Sequence, residues 1–220
     1  MRLERVEIAS ETPASSRTLV LLHGFGADEH DLLPLARELD PGARIISLAA
    51  PIALEQGGRA WYRLQQGPDG ISFDPKEVLE AGVIAAEAIE EIARESPDPL
   101  LCGFSQGGGM ALAAALAKPG LVHTILALSA VPPPDAARLA ALRPSQAKPA
   151  PPRREGDGKG LRVFLGHGTF DPLIPIQVGR ATRDLLAKLG ANVTYREYPM
   201  GHMICADELS DARNFLANRE

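Results

Sequence analysis

The segment Leu100-Leu101-Cys102-Gly103-Phe104-Ser105-Gln106-Gly107-Gly108-Gly109-Met110-Ala111-Leu112 constrains this chain more than any other. A run that reads as a buried strand passes directly into a helical stretch, with no loop between them. A turn that tight strains the backbone of Ser105. It also brings the residues two before and two after it together, so Gly103 and Gly107 stand where side chains would clash. The Ser105 hydroxyl then points out of the sheet, beside the free N–H groups at the start of the helix. G-x-S-x-G between strand and helix is the context in which a serine becomes a nucleophile. The same letters also arise as a Gly-rich turn with an incidental serine, so the motif alone leaves both readings open. A dinucleotide loop is excluded. G-x-G-x-x-G fails at 103, 105 and 108 because 105 is Ser, and at 107, 109 and 112 because 112 is Leu.

Further strands are predicted at Val6–Ala9, Thr18–Leu22, Ala43–Leu48, Thr124–Leu128, Leu161–Leu165 and Val193–Tyr198, beside Leu100–Phe104. TLVLL, ILAL and RVFL are continuous rather than alternating, as in strands covered on both faces of a parallel sheet. Helices are predicted at Asp28–Leu39, from a cap at Asp74 through Ile92, at Gln106–Lys118, at Ile176–Leu189 and at Cys205–Asn218. Asp74 caps the second of these, Pro75 suits its first position, and Glu77 sits where a capping box places it. Strands alternating with helices give an α/β class: a mostly parallel central sheet with helices on both faces. Pro132–Gly160, with KPAPPRREGDGKG at its end, reads as a mobile Pro/Gly-rich surface insertion. Residues 1–220 read as a single domain.

Three more segments carry candidate chemistry. His23-Gly24-Phe25-Gly26 follows the first strong strand, where the N–H of Phe25 can serve as a second oxyanion donor. His23 itself is expected to shape that loop by hydrogen bonding. Asp171, in His167-Gly168-Thr169-Phe170-Asp171-Pro172, follows a strand, as does His202 in Pro199-Met200-Gly201-His202-Met203. Each has an ordinary alternative: a helix-initiating Asp before Pro, and a solvated loop histidine. The order Ser105, Asp171, His202, each just past a strand, is the order in which a nucleophile, an orienting acid and a base follow one another on this architecture. His30, His123 and His167 have no metal-ligand spacing with a second carboxylate or thiol, so no metal is expected. Cys102 lies in a buried strand and is expected to be inert. Cys205 has no activating neighbours.

HGFGADEHDLLPLA, AWYRL, GFSQGGGMAL, HGTFDPLIP and YPMGHMIC together resemble the phospholipase/carboxylesterase family, which includes acyl-protein thioesterases and small bacterial carboxylesterases. The resemblance spans nearly the whole chain. It implies an α/β-hydrolase fold without a large lid domain. It implies Ser105, Asp171 and His202 as a triad, with Phe25 and Gln106 as backbone oxyanion donors, and Trp61 lining the site. Tyr62, Phe170 and Met203 are further candidates for the substrate-binding rim. The implied activity is cleavage of small ester or thioester substrates with short to medium acyl groups, without a cofactor. Acyl-protein thioesterase or lysophospholipase activity is the alternative, and a non-catalytic module using the same pocket is a more distant one. The chain departs from the family pattern at Pro132–Gly160, which leaves subunit contacts, a homodimer among them, open.

Composition limits the partners. A net charge of −5 argues against a nucleic-acid-binding face. No apolar run is long enough to span a membrane. The N-terminus lacks a signal-peptide core and the chain has two cysteines, so a cytoplasmic location is expected.

Overall fold

The computed structural model describes residues 3–10, 17–67, 70–133 and 160–218. Most of the predicted insertion, 134–159, therefore lies outside the described residues, as do its Arg153 and Arg154. The main sheet contains β1 (Arg5–Ile8), β2 (Thr18–Leu22), β3 (Arg44–Leu48), β8 (Leu100–Phe104), β9 (Thr124–Leu128), β10 (Arg162–Gly168) and β11 (Asn192–Tyr198). Their order is β1-β3-β2-β8-β9-β10-β11. Only the edge strand β1 runs antiparallel to its neighbour. Two small hairpins, β4 (Ile52–Ala53) with β5 (Arg59–Ala60) and β6 (Gln65–Gly67) with β7 (Gly70–Ser72), stand apart from the main sheet.

The helices among the described residues are α1 (Leu33–Leu39), α2 (Pro75–Glu95), α3 (Gln106–Ala117), α4 (Ile176–Lys188) and α5 (Ala206–Ala217). Alternate residues of each central strand feed two separate cores. Val20, Leu22, Leu101, Ile125 and Val163 pack with α2 and α3. Leu19, Leu21, Cys102, Leu126 and Phe164 pack with α1 and α5. Every residue of β2 is buried, which explains its unbroken apolar run.

Two local expectations need correction. The first helix begins at Leu33 rather than Asp28. Pro34 lacks an N–H and fits only a first turn, while the Asp28 Oδ1 atom accepts the His30 N–H at 2.8 Å in a turn before it. Asp74 does cap α2, accepting the Lys76 N–H at 2.8 Å, but no capping box forms. Glu77 turns away to Arg63, accepting its backbone N–H at 3.0 Å and its guanidinium at 2.5 Å. A bidentate, charge-assisted contact outcompetes a single bond to the cap N–H.

Candidate active site

In a sheet of this topology, functional groups collect beyond the carboxyl ends of the strands. Ser105 follows β8, Asp171 follows β10 and His202 follows β11, all at that end. Ser105 sits at φ 53° and ψ −117°, a left-handed conformation that costs an L-residue energy. It is held there by bonds from the Ser105 N–H to Leu128 O at 3.0 Å and from the Gly109 and Val131 N–H groups to Ser105 O, each at 3.2 Å. A Cβ on Gly103 would overlap the backbone of Gly107, as the tight turn requires. A Cβ on Gly107 would overlap something else, the carbonyl oxygens of Leu22 and His23. The second glycine thus lets α3 lie against the end of β2.

The Ser105 Oγ atom lies 2.9 Å from His202 Nε2, and His202 Nδ1 lies 2.7 Å from Asp171 Oδ2. The other carboxylate oxygen, Asp171 Oδ1, accepts the N–H groups of Leu173 and Ile174 at 2.9 and 2.8 Å. Burial pushes the Asp171 carboxyl up. The Ile174 N–H, His202 and the Leu173 N–H outweigh it and hold the group below the usual aspartate value. A carboxylate at this distance from Nδ1 favours the neutral imidazole tautomer that carries its proton there. That leaves Nε2 as the acceptor facing the serine. The Phe104 ring, 4.9 Å from the imidazole centroid to centroid, fixes its other face.

A cleft of about 1100 Å³ opens in front of Ser105. Phe25, Tyr62, Gln106 and His202 line it, together with an apolar wall of Leu64, Ile71, Phe73, Val78 and Leu79. Phe25 reaches this lining from the loop after β2 and Gln106 from the first turn of α3. Trp61, Phe170 and Met203 are not in this lining. Trp61 is 1% exposed and sits behind the site, where its indole N–H donates to His23 O at 3.0 Å. Phe170 and Met203 are largely exposed. The turn that carries Phe170 is tied down by its backbone, Thr169 N–H to Tyr198 O at 2.8 Å and Phe170 N–H to Met200 O at 3.0 Å, and the ring is left in solvent. Leu173 and Ile174 line the cleft at that edge.

His23 shapes its loop, as the sequence suggests. It is fully buried, donates from Nδ1 to Gly24 O at 2.7 Å and accepts the Ala50 N–H on Nε2 at 3.1 Å. Burial lowers its pKa, so it stays neutral, and neither nitrogen is free for proton transfer. Burial also pushes the Cys102 thiol up to about 12, consistent with an inert cysteine. Counting histidine pairs passes over one group of potential ligands, the consecutive Asp28, Glu29 and His30, whose ligand atoms lie within 4.8 Å of one another. They form the surface turn before α1.

The family model described as Phospholipase/Carboxylesterase matches residues 3–219. The chain belongs to the phospholipase/carboxylesterase family. Acyl-protein thioesterase 1 of Neurospora crassa is 28% identical, over 94% of this chain and 89% of that protein. A carboxylesterase from Mesorhizobium loti superposes with a TM-score of 0.73 at 28% identity, covering 92% of this chain and 89% of the other. The Bacillus cereus carboxylesterase shares the fold at a TM-score of 0.76 and 22% identity, covering 98% and 93%. As a phospholipase/carboxylesterase family member with the α/β-hydrolase fold, the protein is a carboxylic ester hydrolase acting on esters or thioesters. No helix among the described residues is long and apolar enough to cross a membrane.

Proposed function

We propose that the protein hydrolyses carboxylic esters of short to medium acyl chains by a two-step acyl transfer through Ser105, His202 and Asp171. The observation that carries this is the unbroken chain of contacts from Asp171 through His202 to Ser105 Oγ. His202 Nε2 takes the hydroxyl proton as Oγ attacks the carbonyl carbon. The N–H groups of Phe25 and Gln106 hold the oxyanion. The imidazolium returns the proton to the leaving alkoxide or thiolate. Water, deprotonated by the same nitrogen, then releases the acid and restores Ser105.

The acyl chain is assigned to the wall of Leu64, Ile71, Phe73, Val78 and Leu79. Ile71 of β7 and Phe73 just after it extend this wall. Each additional CH₂ buried against it can contribute about 0.8 kcal/mol until the chain outgrows the wall. Asp31 is the carboxylate in the lining, so a phosphate headgroup would meet like charge there. That favours neutral leaving groups over lysophospholipids. Thioesters use the same machinery, and the relatives' names include both classes.

Two series of substrates test the reading: p-nitrophenyl esters of increasing chain length, and an oxygen ester and a thioester of one acyl group. kcat/KM should rise from acetyl to a medium chain and then fall, with both leaving groups accepted. A steady rise to chains of about 16 carbons would move the reading to long-chain lipidated substrates. No turnover of either ester class would remove it.

A further inference from the structure

We propose that the side chain of Gln106 is a positioning residue for the acyl wall, so that the residue whose N–H follows the nucleophile at the oxyanion site also sets which acyl chains are turned over. This rests on the serine hydrolase reading above and adds a role for a side chain that the reaction itself does not use.

Gln106 is 2% exposed. Its amide reaches from the first turn of α3 to the loop after β5. There, Oε1 accepts the Trp61 N–H at 3.1 Å and Nε2 donates to Tyr62 O at 3.0 Å. The two bonds run in opposite senses to consecutive residues. Only a neutral group with an acceptor and a donor side by side completes both. A carboxylate would satisfy Trp61 N–H and face Tyr62 O with a second acceptor. A thioether of the same length would satisfy neither well.

What the amide holds is the root of the wall. Trp61 is anchored behind it by the indole bond to His23 O, and His23 bonds Gly24 O on the loop that presents Phe25. One network thus touches both flanks of the oxyanion site. Next along the chain, Arg63 is held by Glu77 in the first turn of α2, and the neighbouring Val78 and Leu79 line the cleft. Residues 61–63 are therefore slung between α3 and α2. Tyr62 and Leu64 face the cleft from this sling, and the Tyr62 ring stands edge-on to Phe73, 5.9 Å between centroids. Releasing the Gln106 end frees the sling to shift, and with it the wall that a long acyl chain touches and an acetyl group does not.

The readout is the ratio of kcat/KM for p-nitrophenyl octanoate to that for the acetate. This cancels effects common to both substrates, including the protonation of the histidine base and any change at the oxyanion N–H. In Gln106→Met the ratio should fall about tenfold. In Gln106→Glu it should be low where the carboxylate is ionised. It should recover as pH is lowered towards about 5, since a carboxyl group again offers an O–H beside a C=O. Trp61 is the only tryptophan in the chain, so its emission should shift to the red in Gln106→Met. A purely structural role predicts instead an equal loss on both substrates and no pH-dependent recovery. An unchanged ratio in both variants, or equal losses with unaltered Trp61 emission, overturns the proposal. Should both variants fail to fold, Glu77→Gln decides from the other end of the sling: a lowered ratio supports the proposal and an unchanged ratio overturns it. Phosphonate labelling of Ser105 in each variant separates this test from the triad. Lost labelling in the wild type would undo the hydrolase mechanism, whereas intact labelling with a flat ratio undoes only the role of Gln106.

Discussion

Glu208 offers a stability prediction whose size follows from its surroundings. It is fully buried in the first turn of α5, and neither carboxylate oxygen has a hydrogen-bond partner among the described residues. It lies against Gly166 of β10, where any Cβ would overlap its Oε1. Burial pushes its pKa up from 4.5 to about 8, while the Cys205 N–H pulls the other way without meeting hydrogen-bond geometry. The folded chain thus keeps a proton that the unfolded chain gives up at pH 4.5. Stability is undiminished below that value, falls as pH rises towards about 8, and is level beyond. The shift of 8 − 4.5 = 3.5 units corresponds to about 5 kcal/mol at the plateau. Glu208→Gln removes the titration and keeps the volume. Urea unfolding of both proteins at a series of pH values should give equal stabilities near pH 4.5 and a growing advantage for the variant up to about pH 8. A difference that does not change with pH would refute the reasoning, because a simple packing effect is independent of proton binding.

Asp171→Asn should lower kcat by about 10⁴-fold while thermal unfolding changes little, because the amide favours the wrong imidazole tautomer. Activity within about tenfold of wild type would mean that another carboxylate orients His202. Gly107→Ala should cost about 3 kcal/mol in urea unfolding, since the new methyl meets the Leu22 and His23 carbonyls rather than a yielding side chain. Gly160→Ala, with nothing among the described residues within 4 Å of the new Cβ, should stay within about 0.5 kcal/mol of wild type. Equal effects at the two positions would contradict the close approach of α3 to β2.

The central strands were legible because each is apolar on both faces, and TLVLL and ILAL meet helices above and below the sheet. That Ser105, Asp171 and His202 each come just past a strand was legible because the strands themselves were; in a parallel sheet that is where candidate functional groups are sought. What failed to show has physical reasons. The β6–β7 hairpin has three residues on each side, too few to set up an alternation. Trp61 was expected at the rim because the whole AWYRL segment resembles a site loop, yet adjacent residues of an extended loop face opposite ways. Tyr62 lines the cleft and Trp61 turns inward to His23. Glu208 looks like an ordinary acidic residue in a first helical turn, and only the packing of α5 over Gly166 makes it a buried acid. The Gln106 side chain bonds backbone atoms of residues 61 and 62, which no pattern of side chains reveals.

The proposed acyl transfer depends above all on Ser105 as the nucleophile. Intact-mass measurement after treatment with a fluorophosphonate tests this most directly, with peptide mapping of the adduct. A single adduct on wild type, mapped to Ser105 and absent from a folded Ser105→Ala variant, is the predicted result. An adduct that persists in Ser105→Ala, or maps to another residue, would contradict it.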